Sequence, residues 1–281
     1  VAAIAEEVGN VTVGDRVTVD PPLPCGHCKP CRTNAENLCE NLQFFGCGWR
    51  EGGMADVFAV PAARLYKFPQ HFTDYQAALI EPLATPVHAV RLAGDLRSKA
   101  VVILGAGTIG LMTLVAARRA GARRIVSTDM LAHKRQMALE LGADAVVDAG
   151  VADLNGAVRA ELGESGDVVF DCCAYQSTVA EAIKIAIKGG TVVVVGGARK
   201  PVTIDLPIVQ EYQIRIQGST TYRKEDFDDA VKIIGSPDFD AHRFVTATFP
   251  LPRAEEAFAA INSGREVKIL VVADSEGPPA N

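Results

Sequence analysis

No run of apolar residues in this sequence approaches the length of about 18 that a membrane-spanning helix needs. Nor is there an excess of positive charge. Lys and Arg number 28 against 34 Asp and Glu, a net charge of -6, which argues against a face for nucleic acid or anionic lipid. The opening residues, Val1 to Glu7, lack the basic and apolar regions of a secretory leader, so the expected location is the cytoplasm, with no membrane or nucleic-acid partner. Repeats of solenoid length are also missing. The seven cysteines are odd in number and crowd toward the start. That excludes a simple disulfide framework and points to a metal site in a reducing compartment.

What is present suits an α/β protein. A chain of 281 residues with 48% hydrophobic content has room for about two domains. Short apolar runs separated by Gly and Asp predict strands over Val1–Val8, Val11–Val13 and Arg16–Val19. Residues 21–53 are rich in Pro, Gly, Cys and Asn, a loop long enough to need an internal staple. Strand-like runs return over 54–68, and a helical pattern begins at Asp74. Apolar runs at 100–104, 124–128, 145–148, 167–171, 191–195 and 212–217 then alternate with helical segments near 108–121, 131–142, 152–162, 176–188 and 224–235. This alternation predicts a doubly wound parallel sheet of six strands. The tail Ser275–Asn281 carries the composition of a disordered terminus.

The first strand of that sheet, Val101-Val102-Ile103-Leu104, runs into Gly105-Ala106-Gly107-Thr108-Ile109-Gly110 and then a helix. In that setting Gly105 permits the tight turn, Gly107 the approach of a pyrophosphate, and Gly110 the close packing of helix on strand. The amides around Thr108 and Ile109 would hold the phosphates. The second strand ends at Asp129, nineteen residues beyond Gly110, where a carboxylate would accept from the adenosine ribose of NAD and repel the 2′-phosphate of NADP. Lys134 and Arg135 follow about a turn later, placed either to touch the ribose or as solvated helix residues. An ordinary strand–helix turn is the plain alternative for the glycines.

Cys25, Cys28, Cys31 and Cys39 follow the spacing C-x2-C-x2-C-x7-C. Four thiolates in so short a stretch can close a tetrahedral zinc site with no open position. A four-iron cluster motif ends differently, with three residues and then Pro around its last Cys. His27, inside the loop, is expected to face solvent and Cys47 to be a spectator. Cys172 and Cys173 read as small core residues at the end of a strand. Glu81 precedes Pro82, which alone suggests a carboxylate at a helix start with proline in the first helical position.

Taken together, Val13-Gly-Asp-Arg-Val17, Pro24 to Cys31, Asn37-Leu-Cys39, Phe44-Phe-Gly46 and Gly52-Gly-Met-Ala-Asp56 resemble the zinc alcohol dehydrogenases of the medium-chain dehydrogenase/reductase superfamily. Ala78-Leu-Ile-Glu-Pro-Leu-Ala84 resembles the polyol and diol branch, and Pro250–Ser263 with Lys268–Val272 resemble the closing helix and strand. The resemblance implies a partial GroES-like catalytic domain over 1–85 and 221–281, with a structural zinc lobe at 24–40. A Rossmann domain over 86–220 would interrupt it. It implies a homodimer or homotetramer that oxidises a secondary alcohol with NAD. It places Glu81 beside a catalytic zinc, and Val195, Gly196, Gly197, Thr220 and Tyr222 around the nicotinamide half. The family's remaining catalytic-zinc ligands, an early Cys and a Gly-His-Glu, occur nowhere here; His27, His71, His88, His133 and His242 all fall outside the matching position. A catalytic zinc is therefore expected only if a further N-terminal segment exists. Without it, the alternative is a non-catalytic homologue that binds NAD and one structural zinc. A zinc-free quinone reductase of the same superfamily is disfavoured by the four-cysteine lobe.

Overall fold

The structure, a computed structural model, describes residues 1–47 and 52–273. The expected disordered tail, Ser275–Asn281, lies outside the described residues. In chain order the elements begin with β1 (Val17–Val19), β2 (Pro22–Leu23), α1 (Lys29–Arg32), β3 (Gln43–Phe44), β4 (Leu65–Lys67) and α2 (Asp74–Ala93). An alternating series follows: β5 (Ala100–Leu104), α3 (Thr108–Arg119), β6 (Arg124–Asp129), α4 (Ala132–Glu140), β7 (Ala145–Asp148), α5 (Leu154–Leu162), β8 (Gly166–Asp171), α6 (Gln176–Ile185) and β9 (Ala186–Val194). The chain continues through α7 (Leu206–Glu211), β10 (Arg215–Gly218), α8 (Lys224–Ile234), β11 (Val245–Pro250), α9 (Ala254–Asn262) and β12 (Lys268–Val272). It divides into two compact units, Leu83–Tyr222 and the combination of Val1–Pro82 with the segment from Arg223 onward.

The contiguous unit is built on one six-stranded sheet in the order β10-β9-β8-β5-β6-β7, every neighbouring pair parallel. A parallel sheet carries its crossover helices on both faces, so its strands are apolar on both sides. Accordingly every residue of β5 is buried. Val102, Leu104, Val126, Val169, Ile183 and Val192 join one core cluster beneath the helices. The chain fills the sheet outward from β5 through β6 to β7, then crosses back to lay down β8. The reversal leaves a crevice at the carboxyl ends of β5 and β8, the point at which such sheets bind ligands.

The other unit is held by small ladders and side-chain ties. β1 pairs antiparallel with β4, β2 antiparallel with β3, and β11 parallel with β12. Arg16 donates through Nη1 to the carbonyls of Gln70 (3.1 Å) and Phe72 (2.8 Å), and through Nη2 to Asp74 (2.6 Å). Its guanidinium also lies 5.0 Å from the centre of the Phe68 ring. Side-chain bonds attach the C-terminal segment to this framework. The Tyr66 hydroxyl donates to Asp228 Oδ1, with its ring 4.9 Å from that of Phe227, and Gln76 Nε2 donates to the Ile234 carbonyl at 3.2 Å.

Several local expectations are corrected. Residues 1–16 form no strand; of the three runs anticipated there, only Val17–Val19 finds a partner, Leu65–Lys67. The loop over 21–53 contains the short helix α1 and a 3-10 turn at Glu36–Leu38. β9 begins at Ala186, where the anticipated helix was still running, and α7 occupies a stretch expected to be a connection. Glu81 and Pro82 do not start a helix. α2 runs unbroken from Asp74 through Pro82 and Pro86 to Ala93, although each proline removes one helical amide. Leu79, Ile80, Leu83, Ala84 and Ala89 are fully buried along it, and burial on this scale outweighs two missing hydrogen bonds.

Replacing Tyr66 by Phe keeps the ring contact and deletes the bond to Asp228. Urea unfolding should show a stability loss of about 1–2 kcal/mol, and an unchanged midpoint would remove this tie from the account.

Candidate functional site

The cysteine lobe is assembled by a single helical turn. α1 starts after Cys28 with Pro30 in its first turn, and residues three apart on a helix share a face, which sets Cys28 and Cys31 side by side. The chain then returns through the 3-10 turn to bring up Cys39. The Sγ atoms of Cys25, Cys28, Cys31 and Cys39 lie within 4.8 Å of one another, with Cys28 at 3.4 Å from Cys31 and 3.8 Å from Cys39. Zinc–sulfur bonds of about 2.3 Å in a tetrahedron would set the sulfurs about 3.8 Å apart, so the donor set and its spacing fit zinc. The amides of Cys25 (3.2 Å) and Asn41 (3.4 Å) donate to Cys39 Sγ, an outer layer of hydrogen bonds of the kind that steadies thiolate ligands. The N–H groups of His27 and Cys28 pull the Cys25 thiol down to about 6, whereas burial pushes Cys31 up to about 12. A dication at the centre would reverse the second effect. His27 is exposed and stands outside the group; Cys47 is exposed as well.

In the other unit the glycine turn follows β5 at the sheet's reversal point. Gly105 has φ +93°, a left-handed conformation that glycine adopts without strain, and a side chain there would strike the Cys173 sulfur. At Gly110 a Cβ would overlap the Gly105 carbonyl oxygen, so helix α3 and strand β5 approach to backbone contact. Gly107 precedes α3 as its N-cap with no side-chain bond over the first turn, which leaves room for an anion at the positive end of the helix dipole. Thr108 and Ile109 stand in that turn. Asp129 closes β6 beside it: Oδ2 accepts from Ala106 N at 2.8 Å, Oδ1 from Leu131 N at 2.9 Å. Lys134 is half-buried on α4. Burial pushes the Cys173 thiol up to about 12, with Asp171 and Asp129 adding to the rise and Lys134 opposing it. The turn, the acidic residue and the lysine therefore surround one spot. Cys172 and Cys173 follow the end of β8 and are half-buried, with the Cys172 sulfur 3.6 Å from the buried Thr113 hydroxyl and its thiol pushed up by burial.

Asp171, fully buried at the end of β8, organises the neighbouring loops. Its Oδ1 accepts from the amides of Cys173 and Ala174, both at 2.9 Å, and its Oδ2 from the Thr178 hydroxyl at 2.9 Å. Its carbonyl accepts from Val195 N at 2.9 Å and Gly196 N at 3.0 Å. Val195 is buried, Gly196 half-buried and Gly197 exposed. Past β10, Thr220 is exposed and Tyr222 buried. Between them Thr221 adopts φ +47°, a strained conformation for a β-branched residue and of a kind that gathers at functional sites. Its hydroxyl is buried without a hydrogen-bond partner among the described residues.

Glu81 is half-buried inside α2 and belongs to the same unit as the cysteine lobe. His88 is buried on the same helix. Asp20 lies near Glu81 and pairs with Arg64, which also reaches Glu36 of the lobe at 3.7 Å. Burial raises the Asp20 carboxyl to about 6; Arg64 opposes the rise, and Glu36 and Glu81 add to it. Asp20, Arg64 and Asp171 were not singled out from sequence. Only Asp171 carried a usable signal, its place at the carboxyl end of a parallel strand.

The model of the alcohol dehydrogenase GroES-like domain matches residues 1–70, and that of the zinc-binding dehydrogenases matches 108–236. The chain is 30% identical over 276 residues to a protein named probable D-xylulose reductase A from Aspergillus terreus (strain NIH 2624 / FGSC A1156), covering 96% of this chain and 78% of the relative. The chain belongs to the zinc-binding alcohol dehydrogenase family. Solved members are similar throughout. 2R,3R-butanediol dehydrogenase from Bacillus subtilis is 30% identical with a TM-score of 0.88, covering 97% of this chain and 78% of that one. A structure described as a zinc-binding dehydrogenase from Sinorhizobium meliloti 1021, bound to NADP, is 31% identical with a TM-score of 0.91, covering 97% and 80%. As a zinc-binding alcohol dehydrogenase the chain is an oxidoreductase that works with zinc and a nicotinamide dinucleotide.

Gly110→Ala should separate helix α3 from strand β5. Calorimetry is expected to show dinucleotide affinity lowered by tenfold or more together with a stability loss of about 1–3 kcal/mol; native affinity would contradict the close approach.

Proposed function

We propose that this chain oxidises a secondary hydroxyl of a polyol, diol or sugar alcohol, passing hydride to NAD. The observation that carries the cofactor choice is the Asp129 carboxylate, hydrogen-bonded to Ala106 N at 2.8 Å within the glycine turn. A ribose with free hydroxyls can donate to that carboxylate, whereas a 2′-phosphate would meet its charge at close range. The neighbour from S. meliloti was solved with NADP, so the preference belongs to this chain's own residues. The substrate class follows the relatives named D-xylulose reductase and butanediol dehydrogenase.

The nicotinamide would supply a hydride acceptor; a catalytic zinc would supply Lewis-acid character, but among the described residues only Cys25, Cys28, Cys31 and Cys39 cluster as metal ligands, so such a zinc would need ligands besides Glu81. The chain's residues bind and orient. Gly105, Gly107 and Gly110 let the pyrophosphate reach the start of α3, where Thr108 and Ile109 lie. Asp129 and Lys134 hold the adenosine ribose. Val195, Gly196, Gly197, Thr220 and Tyr222 flank the nicotinamide half. Glu81 would stand beside a catalytic zinc, the role the family resemblance implies. Cys25, Cys28, Cys31 and Cys39 hold a structural zinc, whose four thiolates leave no place for substrate.

Two measurements test this reading. Asp129→Asn should raise the dissociation constant of NADH by about tenfold and narrow the preference over NADPH; an unmoved preference would falsify the NAD assignment. Cys28→Ser should lose zinc and lower the thermal midpoint together, because a closed thiolate site contributes on the order of 10 kcal/mol to folding in small zinc peptides. Full zinc content with an unchanged midpoint would refute the staple.

A further inference from the structure

The acidic residue that discriminates between dinucleotides is itself held in place from behind. Arg135, in the first turn of α4, donates through Nη1 to the carbonyl of Asp129 and to that of Met130, both at 2.8 Å. Its Nη2 lies 2.9 Å from Asp148 Oδ2 at the end of β7. The arginine side chain is only 18% exposed, although its partner Asp148 is 45% exposed, and bonds from a guanidinium to carbonyls and a carboxylate are charge-assisted. Asp148 is anchored in turn, its Oδ1 accepting from Gly150 N at 2.8 Å. The Asp129 carbonyl takes a second bond from Ala149 N at 3.2 Å.

We propose that Arg135 is a positioning residue for dinucleotide choice: it locks the turn between β6 and α4 so that the Asp129 carboxylate stays on Ala106, facing the ribose. This rests on the NAD reading above. A basic residue one turn past the acidic one could instead be taken for a ligand of a 2′-phosphate. Here its fork is engaged by two carbonyls and a carboxylate of the protein. The two roles predict opposite signs. If Arg135 gripped a phosphate, removing it would harm NADPH binding more than NADH binding. If it positions Asp129, removal harms NADH more. Lysine separates charge from geometry, since it keeps the cation but cannot span both carbonyls and Asp148 as a planar fork does.

The test is the ratio of NADPH to NADH dissociation constants, measured by nicotinamide fluorescence on the whole chain. Arg135→Leu should lower the ratio about tenfold, the effect of one lost charge-assisted hydrogen bond. Arg135→Lys and Asp148→Asn should lower it by less. A ratio that holds or rises in these variants, while Asp129→Asn lowers it, overturns the role of Arg135 and leaves the NAD reading intact. A ratio unmoved by Asp129→Asn removes both. Should Arg135→Leu fail to fold, Arg135→Lys and Asp148→Asn decide on the same signs.

Discussion

The Gly105 carbonyl and the Gly110 Cα come so close that no side chain fits between them. From that contact the dinucleotide site is built outward. It sets the start of α3 directly over the end of β5 and keeps the intervening turn within reach of Asp129. The turn is also backed by Cys173, whose sulfur occupies the space a side chain on Gly105 would need. Backbone geometry here is held by exclusion, because the alternatives overlap filled volume.

The cysteine lobe has too little apolar burial to meet the same requirement by packing. Residues 25–39 bury few apolar side chains apart from the cysteines themselves; their cluster adds only Leu42 as a partly buried neighbour. Hydrophobic packing cannot hold such a loop, and covalent-strength bonds to a cation can. Arg64 then joins the lobe to Asp20, so the segment is tied to its own unit by charge. One unit is organised by close packing; the other has ion pairs and a thiol cluster suited to coordinating a cation.

The parallel sheet was legible because strands buried on both faces leave unbroken apolar runs, as in Ala100–Leu104, and because the glycine spacing falls between a strand and a helix. The cysteine spacing was equally plain. The short ladders of the other unit were not, since β1 is three residues long and its partner lies some fifty residues away; nothing local marks such a pairing. Pro82 misled for a related reason. Proline after a glutamate looks like a beginning, and only the burial of Leu79, Ile80 and Leu83 explains a helix that runs through it. Arg135 was noticed as a basic residue near the ribose, but its engagement with Asp129, Met130 and Asp148 depends on β7 arriving alongside β6. The pairing of half-buried Asp20 with Arg64 is visible only once both are in place.

The division of the chain has a further consequence for its synthesis. Leu83–Tyr222 is continuous, so its sheet can close while later residues are still being added, and the four cysteines are near enough together to collect a cation as soon as they emerge. Tyr66, by contrast, must wait for Asp228, 162 residues later, and β11 and β12 arrive later still. Nascent chains generally mature unit by unit from the amino end. Here the ladders β1–β4 and β2–β3 can form early, but the discontinuous unit is completed only when β11 and β12 have been added.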